Sequence, residues 1–212
     1  EKNAWFGVYI KMSQQPPECL VHELVQSWVT EWLMKPHNIE EVTQLIDIFP
    51  STLMIKSIPF GLNHLHTIDN LDLAESLSGF MFDAMEHLNG IGLSAIQLGC
   101  PVRIFVMKVD KEKTCINPIW KPLSKKVVSQ SEGCLSFPNE HCIISRPECI
   151  DVEYYDVVGN KVKETLSGLE ARCFMHECDH LDGIIMHMKQ SRLKRDIYLR
   201  KLAKQKPSYR WM

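Results

Sequence analysis

The five residues His176-Glu177-Cys178-Asp179-His180 constrain this chain more than any other segment. Two histidines four apart stack on one face of a helix, so both imidazoles can reach a single metal ion. Glu177 then lies beside that ion without having to bind it, where a base that deprotonates a metal-activated water belongs. The flanks are apolar: Phe174 and Met175 precede the motif, and Leu181, Ile184, Ile185 and Met186 follow it. A surface helix with a polar face would account for the five residues alone, but not for these neighbours. Burying two imidazoles and a carboxylate is costly unless partners satisfy them, and a metal satisfies all three. The fold is expected to close around this helix, with Gly183 as its stop.

The third metal ligand has to be sought elsewhere. Residues 181–212 contain no Glu, and Met186 stands where a third histidine of the metzincin spacing would fall, with His187 one position late. Upstream, Glu132-Gly133-Cys134-Leu135-Ser136 stands out. The eight cysteines form no CxxC pair and no disulfide-rich spacing, and no signal peptide is visible, so they read as reduced thiols of a cytosol-like compartment. Cys100, Cys115, Cys142 and Cys149 read as small core residues. Cys134 differs, because it sits between a glycine and a turn-like Ser-Phe-Pro sequence that would present a thiolate. One cysteine and two histidines leave a coordination position open for water, as in a catalytic rather than a structural site.

A third element, Gly90-Ile91-Gly92-Leu93-Ser94-Ala95-Ile96-Gln97, follows an amphipathic helix in which Leu73, Leu77, Met81, Ala84 and Leu88 recur at helical spacing. Asn89-Gly90 is the expected helix end. No third glycine follows at dinucleotide spacing and no Lys-Ser/Thr follows as in a P-loop, so a phosphate site is not expected. The alternative is a backbone that passes close to a substrate, with Gln97 supplying an amide donor.

Taken together and in this order, the three elements resemble the peptide deformylase family, whose pattern is Gly-x-Gly-Leu-(Ala/Ser)-Ala-x-Gln, then Glu-Gly-Cys-Leu-Ser, then His-Glu-x-x-His-Leu-x-Gly. The resemblance runs from about Ile55 to Leu202. It implies an α+β fold of short antiparallel or mixed strands around a central metal-binding helix. It also implies hydrolysis of the N-formyl group of N-terminal formylmethionine in nascent polypeptides, releasing formate. One divalent metal ion per chain goes with it, natively Fe2+, with Zn2+, Ni2+ or Co2+ as alternatives. Carried over by the resemblance, Cys134, His176 and His180 bind the metal and Glu177 is the acid/base. Gln97 and the backbone N–H of Leu135 face the developing oxyanion. Ile91, Cys173 and Phe174 wall the methionine slot, although Phe174 reads equally well as core. The Gly90–Leu93 backbone, including Gly92, would pair with the peptide as an added strand.

The chain departs from the family pattern at several positions. Met175 stands where a Gln commonly precedes the first histidine, and His141 where an Arg is common near the substrate backbone. The opening is reduced to Ser57-Ile58-Pro59-Phe60, and the stretch through His64 and His66 does not match. Two other readings of the motif stay open: a zinc peptidase of the HExxH type that cleaves internal peptide bonds, and a metal-binding module without catalysis.

The 212 residues fit one domain of about 150 residues plus an appendage. No apolar run approaches the roughly 20 residues of a membrane span. Neither a membrane nor DNA is an expected partner, and the expected location is cytoplasm or an organelle matrix. Strands are predicted at Val102–Met107, Cys142–Ile144 and Ile150–Tyr155, with turns at Pro138-Asn139 and Gly159-Asn160. Residues 1–52 form a predicted N-terminal extension, an acidic helical hairpin, and residues 53–212 the deformylase-like unit. In the extension, Pro16-Pro17 leads into a stripe at Leu20, Leu24, Trp28 and Trp32; a capping box at Asn38 and Glu41 opens a second helix carrying Ile39, Val42, Ile46 and Phe49. Six acids face only Lys35 between residues 18 and 47. From Lys189 to Met212, nine Lys or Arg face only Asp196, a charge run that is either a solvated face or a ribosome contact.

Overall fold

Ile104-Phe105-Val106-Met107 is apolar at every position, which fits a strand covered on both faces rather than one. It forms β2 (Ile104–Lys108), the second strand of a five-stranded antiparallel sheet ordered β1-β2-β3-β6-β7. The other members are β1 (Gly92–Ser94), β3 (Glu112–Pro122), β6 (Cys149–Tyr155) and β7 (Lys161–Ser167). Alternation in β2 sends Ile104 and Val106 to one face, where they pack with Leu77, Met81 and Met85 of α1 (Ile68–His87). Phe105 and Met107 go to the other face and meet α2 (Gly168–Leu181). Phe174 of α2 meets Phe105 edge-on, with ring centroids 5.0 Å apart at 85°.

The structure, a computed structural model, describes residues 56–57, 68–100 and 102–205. The expected helical hairpin within residues 1–52, and the stretch through His64 and His66, lie outside the described residues. No helix of the described residues is long and apolar enough to cross a membrane.

A second sheet is the hairpin of β4 (Val127–Cys134) and β5 (Phe137–Pro147). Its inner residues Phe137, Cys142 and Ile144 form a small core with Ile96, Ile185 and Met186. α2 therefore lies between the five-stranded sheet and the hairpin, and every residue from Ala171 to Leu181 is buried. This is the closed environment that the apolar flanks of the histidine motif required. α3 (Arg192–Gln205) follows a single 3-10 turn at Met186–Lys189.

Turn chemistry behaves partly as the sequence suggests. α1 ends at His87, Asn89 takes the left-handed conformation at φ 55°, and Gly90 N–H reaches back to Met85 O at 2.8 Å. After α2, Gly183 at φ 74° supplies the left-handed turn, and Gly159 at φ 83° closes the β6–β7 hairpin. The expected turn at Pro138-Asn139 is displaced. Leu135-Ser136 makes the two-residue turn between paired Cys134 and Phe137, while Asn139 sits within β5 at φ 65°. That displacement puts Cys134 at the very end of a strand.

β1, β3, β4 and β7 are additional to the strands predicted at Val102–Met107, Cys142–Ile144 and Ile150–Tyr155. In β3, Asn117 at φ 50° and Pro118 fall where the register shifts between Ile116 and Ile119, so a bulge hides the alternation. β7 ends the sheet order and carries Lys161, Lys163 and Glu164, the charges of an edge strand rather than a core one.

Phe105 is fully buried between β2 and α2, so Phe105→Ala is expected to lower unfolding stability by about 3–5 kcal/mol. A urea titration should show a lower midpoint at unchanged slope; an unchanged midpoint would mean that the aromatic pair does not hold α2 to the sheet.

Candidate metal centre

The i and i+4 spacing on α2 brings His176 and His180 together with their rings nearly perpendicular and their Nε2 atoms 3.2 Å apart. At the end of β4, Cys134 places Sγ 3.2 Å from His180 Nε2. The ligand atoms of Cys134, His176 and His180 all lie within 4.8 Å of one another. One soft sulfur and two imidazole nitrogens converging from a helix and a strand end are the donor set of an open divalent-metal site.

Electrostatics around these donors favour positive charge. Burial works against a charged His176, yet hydrogen bonding to Cys134 and Glu132 prevails and raises its pKa to about 10. Burial, reinforced by neighbouring His176, pushes His180 well below the usual imidazole range. Nδ1 of His180 is buried and has no hydrogen-bond partner among the described residues.

Behind His176 stands a buried ion network. Nδ1 of His176 lies 3.0 Å from Glu132 Oε2. The same carboxylate accepts from Arg146 Nε at 2.6 Å and Nη2 at 2.8 Å, and from Arg172 Nη1 at 2.5 Å. Arg146 also donates to Asp179 at 2.8 Å, and Lys189 pairs with the other oxygen of Asp179 at 2.8 Å. Arg172 fastens the helix to the hairpin by donating to the carbonyls of Ile144 and Val128. Burial raises the Glu132 pKa, but Arg146 and His176 overcome it and hold the group at about 2. A carboxylate kept ionised behind an imidazole fixes which ring nitrogen faces the cation.

Glu177 is one residue along the helix, on the side of β1. Ser94 Oγ lies 2.6 Å from its Oε2 and 3.1 Å from its carbonyl oxygen. Burial raises its pKa above the ordinary carboxylate value, against the opposing effects of His176 and Ser94. Such a carboxylate takes up a proton more readily than a solvated one. Gly92 is paired with Met107 in the sheet, and a Cβ there would lie 2.6 Å from Glu177 Oε1 and 2.7 Å from Cys173 Sγ. Only glycine lets β1 pass this close to the helix. Gly90 is similarly tight, since its Cβ would fall 2.7 Å from Leu135 Cδ1.

Gln97 is buried beside the thiol. Its Oε1 accepts from Ser94 N–H at 2.8 Å, which leaves Nε2 aimed at Ser136 Oγ at 3.1 Å and Cys134 Sγ at 3.8 Å. Leu135 opens the hairpin turn next to Cys134. Ile91 is partly exposed, and its carbonyl accepts from Cys173 Sγ at 3.4 Å. The structure thus gathers Cys134, His176, His180, Glu177, Gln97, Leu135, Gly90, Ile91, Gly92 and Cys173 around one centre. Phe174 is the exception among the expected slot walls. It is fully buried on the sheet side of α2, because adjacent helix positions point about 100° apart. Met175 also packs in that sheet-side core. His141 is exposed on β5 directly across from Gly133, whose Cβ would lie 3.2 Å from the imidazole.

Ser94, Glu132, Arg146, Arg172 and Asp179 were not assigned roles by the sequence reading. Arg172 and Asp179 carried a signal, since they lie four before and three after His176 in a helix with apolar flanks. Arg146 carried one as well: it continues the inward alternation of Cys142 and Ile144, and a charge at an inward position requires a partner.

The sequence profile of the polypeptide deformylase family matches residues 63–196. Peptide deformylase 1B, chloroplastic, of Oryza sativa subsp. japonica is 40% identical over 133 residues, covering 60% of this chain, and the aligned region spans 49% of that protein. The peptide deformylase of Brucella suis is 37% identical over 139 residues, covering 63% of this chain and 79% of that one. The peptide deformylase of Ehrlichia chaffeensis, in its crystal structure with actinonin, superposes with a TM-score of 0.65 at 31% identity, covering 75% of this chain and 94% of that one.

Glu132→Gln removes the charge that orients His176 and takes the paired carboxylate from Arg172, leaving Arg146 with Asp179 alone. Affinity for a divalent metal is expected to fall about 10- to 100-fold, measured by competition with a chromogenic chelator. Arg146→Met, which removes from Glu132 and Asp179 the cation they share, is expected to cost about 3–5 kcal/mol of unfolding stability. Unchanged metal affinity and stability would show that the network is not what sets the site.

Proposed function

The chain belongs to the polypeptide deformylase family, and from that premise we propose that it hydrolyses the N-formyl group of N-terminal formylmethionine on nascent polypeptides, releasing formate. The family is metal-dependent. The observation that carries the reading is the convergence of Cys134, His176 and His180 beside a buried Glu177 and the Gln97 amide. The deformylase unit is assigned to residues 53–212, and the three converging side chains are assigned as the metal ligands. Fe2+ is the proposed native ion by family resemblance; the thiolate and two imidazoles also suit Zn2+, Ni2+ and Co2+.

Cys134, His176 and His180 would hold a divalent cation, which would supply Lewis acidity to water and to the formyl group beside it. Glu177 receives the proton that the attacking water gives up, at Oε1, while Ser94 holds Oε2. Water oxygen bonds to the formyl carbon and the carbonyl electron pair moves onto oxygen. Gln97 Nε2 and the Leu135 N–H donate to that oxyanion, and one such donor can be worth about 3 kcal/mol. When the C–N bond breaks, Glu177 returns its proton to the leaving nitrogen, giving formate and a free α-amino group. The raised Glu177 pKa suits both transfers.

The substrate binds through its main chain. β1 is an edge strand, paired on one side by β2, so the Gly90–Leu93 backbone offers hydrogen bonds to an added peptide strand. Pairing of this kind accepts many sequences, as an enzyme of nascent chains must. Ile91 and Cys173 bound the apolar slot for the methionine side chain. We further assign the basic C-terminal segment to ribosome contact through phosphates, and the chain to cytoplasm or an organelle matrix. All seven cysteines of the described residues are free thiols, which supports a reducing compartment.

Glu177→Gln is expected to lower formate release from formyl-Met-Ala-Ser by about 10²- to 10⁴-fold with bound metal retained. Cleavage of internal peptide bonds without formate would replace this reading with a peptidase, and metal binding with neither activity would leave only a binding module. Gly92→Ala should cost about 10²-fold in kcat by displacing Glu177, at near-wild-type metal content.

A further inference from the structure

α3 turns apolar residues outward. Leu193 is 71% exposed and Ile197 58% exposed, and four residues apart they share one face of the helix. The opposite side is occupied: Tyr198 stacks on His187 with ring centroids 3.5 Å apart and meets Phe137 edge-on at 6.2 Å. Gln190, two residues before α3, donates its side-chain amide to the carbonyl of Ile143 on β5 at 2.9 Å, and Ile143 is itself 67% exposed. Arg192, Lys194, Arg195 and Arg200 surround this strip with positive charge, relieved only by Asp196. An apolar strip of this kind with a charged rim marks a surface that something covers.

Residues 18–49 have the complementary character. In a helix of this sequence Leu20, Leu24, Trp28 and Trp32 would share one face, joined by Val21, Val25 and Val29, a stripe too wide to be left solvated. Six acids against one Lys between residues 18 and 47 oppose nine Lys or Arg against one Asp between residues 189 and 212. The tether is suitable. Ser57 N–H is anchored on Leu181 O at 2.8 Å, at the end of α2 and eleven residues before α3 begins. Eight residues link Phe49 to Ser57, a reach of up to about 27 Å, and the fourteen residues of α3 span about 21 Å.

We propose that residues 18–49 dock in cis on the Leu193–Ile197 face of α3, burying their apolar stripe there and pairing their acids with its Lys and Arg side chains. The proposal rests on the charge and exposure of α3 and not on the deformylase reading. Docking occupies the same basic side chains that a phosphate partner would use, so the extension and such a partner compete.

The test uses the full-length, metal-loaded protein with the photocrosslinker benzoylphenylalanine in place of Ile197, and mass spectrometry to map the products. Crosslinks are expected on residues 18–49 of the same chain, in a yield independent of protein concentration. The yield should fall about threefold or more between 0.1 and 1 M NaCl, as the Debye length shrinks from about 10 to about 3 Å. Lys194→Glu with Arg200→Glu should lower it similarly, and adding Glu23→Lys with Glu31→Lys should restore it. Bound metal serves as the check on folding for each variant. Crosslinks that form only between chains, that fall on co-purified RNA or on another part of the chain, or that do not form, overturn the proposal, as does failure of the charge swap to restore the yield. Formate release is scored separately, so loss of one reading leaves the other standing.

Discussion

The Glu132 carboxylate is shared by Arg146, Arg172 and His176, and the architecture around the site depends on that sharing. Arg172 and His176 belong to α2, whereas Glu132 and Arg146 belong to the two strands of the hairpin. The network is therefore also the clamp between the helix that carries two histidines and the hairpin that ends in Cys134. Its groups are almost wholly buried, so their mutual pairing offsets a large desolvation cost, and removing any one partner leaves a charge without compensation. Arg146 extends the clamp to Asp179, and Lys189 carries it on to the turn that follows α2. The convergence of three candidate metal-ligating atoms and the docking of a hairpin are consequences of one charge arrangement.

On the other side of α2 the constraint is absence of bulk. β1 approaches the helix closely enough that Gly92 cannot carry a side chain, and the same approach brings Ser94 to Glu177. Ser94 N–H in turn holds the Gln97 carbonyl oxygen, which sets the direction of the amide nitrogen. The Glu177 carboxylate and the Gln97 amide are thereby oriented by a single serine, through its hydroxyl and its backbone. A glycine loop that would suggest phosphate binding in another context here serves close packing of strand on helix.

What could be read from the sequence divides by distance along the chain. The histidine pair, its apolar flanks and the Gly183 stop are local, and local periodicity is what a sequence displays. Cys134 could be singled out because its neighbours on both sides are turn-like. Arg146–Asp179 spans 33 residues and Ser94–Glu177 spans 83, and no periodicity links such positions. The strand at Glu112–Pro122 was obscured for a different reason: Asn117 and Pro118 break the alternation at a bulge. Phe174 read equally well as slot or core because both are apolar, and only the direction in which α2 is turned decides between them. The turn between β4 and β5 was misplaced because Pro-Asn is the stronger local signal, whereas register between Cys134 and Phe137 favours Leu135-Ser136.

Residues 18–47 and 189–212 carry opposite charge, and the described structure gives the basic segment a location on α3. α3 is held to the hairpin by Tyr198 against Phe137 and His187, leaving Arg192, Lys194, Arg200 and two large aliphatic residues outward. A helix that only displayed charge would not need Leu193 and Ile197 on its open face, and a helix that only docked through apolar contact would not need this density of Lys and Arg. Both features on one face describe a surface that binds through burial and is tuned by charge, so its occupant can be exchanged by ionic competition. Tyr198 on the inner side of α3 and Cys134 at the end of β4 pack against the same small core, so the seat of this helix and the seat of the thiol are built from one set of residues.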